Sequence, residues 1–533
     1  MKRRAFLGAG GAVLGVGAAA ALGRPWLVEY VREGRPGKLL RSAAELPKPY
    51  QVPLPVPPVL RPKATGAGGS AASTTDTYEI TQRAADLEIL PGLKTRAWTY
   101  GGSFPGPTIV SQSGRRTVVK HRNELDQPVV VHLHGGHTPA ASDGYPTSLI
   151  LPASGAYDQQ RAMSDMAGGE HGMSMDHGAM DLAEGSRTYT YPLDQRAATL
   201  WYHDHRMGYT GTSVWMGLAG FHLVHDDEEE RLPLPRAERD LPLMIADRSF
   251  AADGSFQYPS LDRELHTPGV TESYMNGVLG DVVLVNGAPW PVHGVERLRY
   301  RLRLLNASNA RLYKLELDPQ PEGGDAFVQI GSDGGLLARP VRHDSLEIAP
   351  AERFDVVVDF SRYRPGTKVR LVNRFGDGST AEVMRFDVGS GSPKDGTTVP
   401  DRLADVARLD PHRAAVTRDF HFRGSSDGWT INGEEFRPGR ALARPRLGQT
   451  EVWRFTTNFH HPVHLHLDHF QVVSRNNRAP GAFDHGWKDT VDLRPAEAVE
   501  VVTRFTDYPG TFMIHCHNLE HEDMAMMGDF VTE

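Results

Sequence analysis

The sequence predicts an all-β protein assembled from three copies of one sandwich-type module, and three observations carry that expectation. Short alternating segments rich in Val, Thr, Phe and Tyr, such as "RRTVVKHRNELDQPVVVHLHGG" and "ERFDVVVDF", are separated by Gly and Pro turns; period-two alternation of this kind marks strands of a β-sandwich or barrel. An opening stretch recurs: "VNGAPWPVHGVERLRYRLRLLNASNAR" near residue 286 parallels "INGEEFRPGRALARPRLGQTEVWRFTTNFHHPVHLH" near 431 and, more loosely, "YGGSFPGPTIVSQSGRRTVVKHRNELDQPVVVHLHGG" from 100. A closing stretch recurs as well, since "AERFDVVVDFSRYRPGTKVRLVNR" (351–374) lines up with "AEAVEVVTRFTDYPGTFMIHCHN" (496–518), whose end resembles "ATLWYHDHRM" in the first third. Self-similarity at three places reads as one architecture used three times.

A chain of 533 residues exceeds the size at which a single core stops growing, so several domains are expected. The start, "MKRRAFLGAGGAVLGVGAAAALGRPW", has a basic head and a short Ala/Gly-rich run too poor in Leu and Ile to span a membrane, and Arg3-Arg4-Ala5-Phe6-Leu7 resembles a twin-arginine export signal. Residues 1–25 are therefore expected to direct export to the periplasm or cell envelope, with an uncleaved anchor as the alternative. Residues 26–76, rich in Pro and then Gly, Ala and Ser, read as an extended linker or wrapping arm. The modules then span 77–235, 236–395 and 396–533, the first carrying a Met/His-rich insertion over 158–186. Net charge is −8 with no long basic run, which argues against nucleic acid as a partner.

Four His-x-His pairs punctuate the modules: His132/His134, His203/His205, His464/His466 and His515/His517. On a strand, residues i and i+2 share a face, so each pair can aim two imidazoles at one point. In the internal alignment His515, Cys516 and His517 face His203, Asp204 and His205, while the middle module holds Leu371, Val372 and Asn373 in those places. Ligand-type residues thus belong to the outer modules. Imidazole suits several transition metals, so the histidines alone do not choose among them.

Cys516, the single cysteine, has no partner for a disulfide within the chain. Lying between His515 and His517, its sulfur leaves the opposite face of their strand and serves a separate site. His521 and Met526 follow it as Cys-x4-His-x4-Met, and His461 lies an odd three residues before His464. A thiolate, two imidazoles and a weak thioether are the ligand set of a blue-copper electron-transfer centre.

The ordered motifs "HLHGG", "WYHDH", "HPVHLH" and "HCHNLEHEDMAMM" resemble the multicopper oxidases, and most nearly their bacterial laccase and cuprous oxidase branch, from about residue 77 to the end. That resemblance implies three cupredoxin-like Greek-key domains and four copper ions. His132 and His464 would bind the type 2 copper; His134, His203, His205, His466, His515 and His517 the type 3 pair; His461, Cys516, His521 and, axially, Met526 the type 1 copper. It further implies four one-electron oxidations of a phenol, an aromatic amine or Cu(I), coupled to reduction of O2 to two waters. Asp143 and Glu522 match acidic positions with a proton-delivery role, and Asp523 is a candidate for fixing a ligand histidine. A copper-buffering protein and a copper nitrite reductase are the competing readings; the latter would not need eight cluster histidines.

The insertion "RAMSDMAGGEHGMSMDHGAMDLAEGS" holds Met163, Met166, His171, Met173, Met175, His177 and Met180 with no core-helix periodicity. Soft sulfur ligands select Cu(I), so a transient copper-binding loop is expected there.

Overall fold

The computed structural model describes residues 36–67, 74–155, 157, 180–391, 393–425 and 428–533; residues 1–25, expected to direct export, and the insertion up to residue 179 lie outside them. Strands dominate, with a few short helices, and each module is a pair of sheets closed over an apolar core. In the first module a five-stranded sheet built on Thr74–Leu87 and Arg116–Asn123 packs on a four-stranded sheet ordered Gly106–Gln112, Ala219–His225, Ala198–Asp204, Val131–His134. The middle module pairs a seven-stranded with a five-stranded sheet, and the third pairs two five-stranded sheets.

The repeats seen in the sequence reappear as topology. The opening strand of each module runs parallel to a later one: Thr74–Leu87 with Arg116–Asn123, Asp240–Arg248 with Arg299–Asn306, and Val416–Ser425 with Thr450–Thr457. In each facing sheet the closing strand runs parallel to an earlier one: Ala219–His225 with Gly106–Gln112, Glu382–Val388 with Val292–Val295, and Met527–Thr532 with Ala441–Ala443. A tight hairpin cannot join parallel neighbours, so the chain has to cross between sheets, as in Greek-key connections.

One local device is copied three times. Tyr100–Ser103, Val285–Ala288 and Ile431–Glu434 each close a two-residue turn. Both central residues lie at positive φ in every case: Gly101 at 69° and Gly102 at 95°, Asn286 at 51° and Gly287 at 83°, Asn432 at 57° and Gly433 at 79°. Matching the right-handed twist of the flanking strands requires that conformation, which Asn and Gly accept most readily.

The Pro-rich segment lies along the modules as an extended arm. Lys38 N donates to Gly277 O at 2.9 Å, Tyr50 N to Trp290 O at 2.8 Å, and Leu60 N to Thr108 O at 2.8 Å, while Leu40 and Leu54 are buried in the middle module's core. Ala64–Ala67 then pairs with Thr74–Thr77, so the first sheet begins ahead of residue 77, where composition placed the module's start. Backbone pairing needs no apolar side chain, which is why a Gly/Ala/Thr stretch could serve as strand without looking like one.

Where the outer modules carry histidines, the middle strand Lys368–Asn373 buries Val369 and Leu371 completely. Among the described residues no helix is long and apolar enough to cross a membrane. Leu302 sits fully buried in the middle module's seven-stranded sheet. Leu302→Ala should cost about 2–5 kcal/mol, seen as a lower thermal midpoint with unchanged circular dichroism at room temperature.

Candidate metal centre

Two strand pairs, one from each outer module, carry the histidines. Val131–His134 runs antiparallel to Ala198–Asp204 with His132 opposite His203, and His461–Leu465 runs antiparallel to Gly510–Cys516 with His464 opposite His515. His205, His466 and His517 each stand one residue past a strand end. The two sets interleave: His132 stacks on His466 with centroids 4.0 Å apart, and His134 on His464 at 3.6 Å. All eight rings are buried.

Ring nitrogens converge in groups. His134, His203 and His517 form one triad, His205, His466 and His515 a second, and His132 with His464 a third that includes His134. In the second triad His515 Nε2 lies 3.4 Å from His205 Nε2 and 3.2 Å from His466 Nε2. Nitrogens bonded tetrahedrally to one ion at about 2.0 Å would stand about 3.3 Å apart, so the spacing suits a shared cation.

Orientation gives an independent test of fit. His132 Nδ1 donates to Asp143 O at 2.6 Å, His203 Nδ1 to Asp204 O at 2.8 Å and His464 Nδ1 to Asp489 O at 2.9 Å. The Nε2 atom of each ring is left buried without a protein partner. His134 is turned the other way, giving Nε2 to Asp489 Oδ1 at 3.1 Å and leaving Nδ1 bare. A ring with one nitrogen anchored to oxygen and the other aimed at its neighbours is how proteins prepare imidazole for a metal.

Cys516 faces the other way from its neighbours. Its Sγ lies 3.3 Å from His461 Nδ1 and 3.6 Å from His521 Nδ1, and those nitrogens are 3.0 Å apart. Burial pushes the thiol well above its ordinary pKa, so a nearby cation is what would make it a thiolate. Cys516 N donates to Met526 O at 3.1 Å, and Met526 is buried in the same apolar cluster. Trp429 stacks on His521 at 3.7 Å, a wall that no spacing in the sequence announced.

Asp143 and Glu522 both reach the cluster. Asp143 Oδ2 accepts from His466 Nδ1 at 2.8 Å, and burial raises its pKa to about 8. Glu522 lies 3.1 Å from His515 Nδ1 and 3.4 Å from His205 Nδ1. Burial works to raise its carboxyl, but the imidazoles of His205 and His515 outweigh that and hold it below the usual range. Asp523 is engaged elsewhere. It accepts from Thr210 N at 2.7 Å and Gly211 N at 2.9 Å at the start of the first module's helix Thr210–Met216, so it clamps two modules rather than a ligand histidine. Glu520 ties the same segment to the middle module, accepting from Tyr258 OH and Asn309 Nδ2, both at 2.8 Å.

A cavity of about 260 Å³ opens between modules, lined by His137, Arg196, His469, Trp487 and Arg504 among others. It shares Asp468 and His469 with a narrower cleft that reaches His132, His464 and His466. That cleft has no room for a water molecule, so the cavity ends beside the buried rings without opening onto them.

Two multicopper oxidase family models match this chain, one over residues 82–168 and 166–229 and one over 407–533, the regions that converge on the histidines. The chain belongs to the multicopper oxidase family, and it is an enzyme that couples copper-dependent oxidation to reduction of O2. It is 38% identical to a laccase of Bacillus stratosphericus over 84% of this chain and 93% of that one. It is 33% identical to a bilirubin oxidase of Albifimbria verrucaria, covering 93% of this chain and 83% of that one. Among solved structures, a laccase from Pediococcus acidilactici matches with a TM-score of 0.77 at 32% identity, over 93% of this chain and 96% of that chain. Such oxidases have three cupredoxin-like domains, as the three modules here are.

Seven of the cluster histidines, His132, His134, His203, His205, His464, His466 and His517, are driven below the ordinary imidazole pKa, mainly by burial. A lowered folded-state pKa leaves the unfolded chain binding more protons between the two values, so stability falls as pH drops through that window. For His203 and His205 the window runs from 6.5 down to about 3 and about 4. The thermal midpoint of metal-free protein should decline across it in a calorimetric pH series, and that of metal-loaded protein at least as steeply, because a bound cation keeps the same rings unprotonated to lower pH.

Proposed function

We propose that the chain holds four copper ions and oxidises small phenols or aromatic amines, one electron at a time, with O2 as the final acceptor and water as product. The observation that carries this reading is the pair of histidine triads lying on the other side of one strand from the Cys516 set. His461, Cys516 and His521, with Met526 beside them, would hold a type 1 ion. His132 and His464 would hold a type 2 ion, and His134, His203 and His517 with His205, His466 and His515 a type 3 pair. Bound copper would supply the one-electron chemistry that joins substrate oxidation to O2 reduction.

The chain's own contribution is placement, dryness and protons. Cys516 is covalently continuous with His515 and His517, so a few backbone bonds connect the two centres. Burial of every ring excludes bulk water from the nest. Reduction of O2 consumes protons, and Asp143 is suited to hold one: His466 Nδ1 donates to Oδ2, which leaves the buried Oδ1 as the oxygen that carries hydrogen. Glu522, held as the anion, faces the rings of His205 and His515 and can accept one. Two carboxyls pushed apart in pKa around one site is the usual arrangement for a proton donor and acceptor.

We also infer export by the twin-arginine route, on the strength of Arg3-Arg4 and the apolar run behind them. A second substrate reading, Cu(I) with a role in copper tolerance, rests on the thioethers and imidazoles of residues 163–180.

Cys516→Ser should abolish the intense blue band of the purified protein and lower phenol-dependent O2 uptake by at least a hundredfold. If O2 uptake survives without the thiol, the electron-entry assignment is wrong. Deleting residues 163–180 should slow Cu(I) oxidation and leave phenol oxidation near the parent rate; equal rates with Cu(I) would remove the cuprous reading.

A further inference from the structure

The middle module contributes no histidine to the nest, yet it sends one buried guanidinium to its edge. Arg353 opens the strand Arg353–Asp359 and is 1% exposed. Its five donors are all used. Nε donates to Thr199 O at 3.0 Å, on the strand that carries His203; Nη1 donates to Ala351 O at 2.9 Å and Asp489 Oδ1 at 2.8 Å; Nη2 donates to Asp333 O at 3.2 Å and to Asp489 Oδ2. One side chain thereby touches all three modules.

Asp489 passes the constraint on. Its Oδ1 accepts from His134 Nε2 at 3.1 Å and from Thr490 Oγ1 at 2.9 Å, and its carbonyl oxygen accepts from His464 Nδ1 at 2.9 Å. These rings come from different modules and stack on each other. Lys488, next in the chain, binds Asp333 at 3.0 Å and Glu352 at 3.1 Å with no exposure, so the segment behind the rings is fixed twice to the middle module. Gly135 in the "HLHGG" motif leaves room for the arrangement. At φ +82°, a β-carbon there would meet Arg353 Nη2 at 2.6 Å and Asp489 Oδ2 at 2.8 Å.

We propose that Arg353 is a positioning residue for the histidine cluster: through Asp489 it fixes the ring of His134 so that Nδ1, and the ring of His464 so that Nε2, faces the metal. The proposal rests on the multicopper reading above. The fork geometry matters, because a guanidinium can hold both carboxylate oxygens and a second strand at once, whereas an ammonium is a point charge. Partners that orient metal-bound histidines typically change metal affinity or activity 10–100-fold when altered.

Two variants test it. Arg353→Lys keeps the charge and loses the fork; Thr490→Val removes, with little change in volume, a hydroxyl that donates to Asp489 Oδ1 and also lies 3.2 Å from His134 Nε2 and 3.3 Å from His464 Nδ1. Each is loaded with copper and read by copper content, the blue thiolate band, the electron paramagnetic resonance of the type 2 ion, and O2 uptake. The expected result is an unchanged blue band with an altered type 2 signal and O2 uptake reduced about 10–100-fold for Arg353→Lys, with a smaller change in the same sense for Thr490→Val. A merely structural role would lower thermal stability and leave the type 2 signal of the folded fraction as in the parent. A parent-like type 2 signal with full copper in folded Arg353→Lys overturns the proposal; should that variant not fold, Asp489→Asn, which keeps the carbonyl oxygen facing His464 and removes the charge that the guanidinium grips, decides by the same signal. A parent protein without a blue band would instead sink the multicopper reading itself.

Discussion

The structure depends on keeping eight imidazoles aimed at one another in a space that water does not reach. Each buried ring nitrogen that lacks a partner is costly. For His132, His134, His203, His464 and His466 the fold meets that cost by anchoring the other nitrogen to a fixed oxygen and reserving the bare one for a cation. The strand pairing, the stacking across modules and the acidic residues behind the rings all serve that requirement. Without a metal the nest is an unfavourable thing to build, so folding and metal binding are linked.

The middle module explains itself in these terms. Where its neighbours place histidines it has Leu371 and Asn373, and its apolar cluster is extensive, taking in Leu40 and Leu54 of the arm as well. Its polar residues meet the outer modules at their functional edges: Arg353 and Asp333 behind the cluster, Tyr258 and Asn309 against Glu520 beside the thiol. A module without ligand histidines thus does the work of holding the other two at a fixed distance.

Much of this was legible in the sequence because the chemistry is written at short range. Period-two spacing placed paired rings on one face, and the odd offset put His461 on the sulfur's side. What escaped is written at long range. His134 meets Asp489 across 355 positions and Arg353 meets it across 136, and a lone Lys-Asp-Thr carries no spacing that points to either. Trp429 was hidden for the same reason, being one aromatic in a hairpin until the fold stacks it on His521. Asp523 was misread because neighbours in sequence suggested a partner beside it, whereas the amides it binds lie more than 300 residues away. The first module's early strands were missed because their side chains are small and polar.

The strand Gly510–Cys516 is flanked on both edges, by His461–Leu465 and Met527–Thr532. Adding or deleting one residue within it would exchange its two faces, delivering sulfur to the imidazole nest and imidazole to the sulfur site. Lineages carrying this design can therefore vary the surrounding loops in length and composition, but this short stretch has to be inherited at constant length, and substrate range must diversify elsewhere.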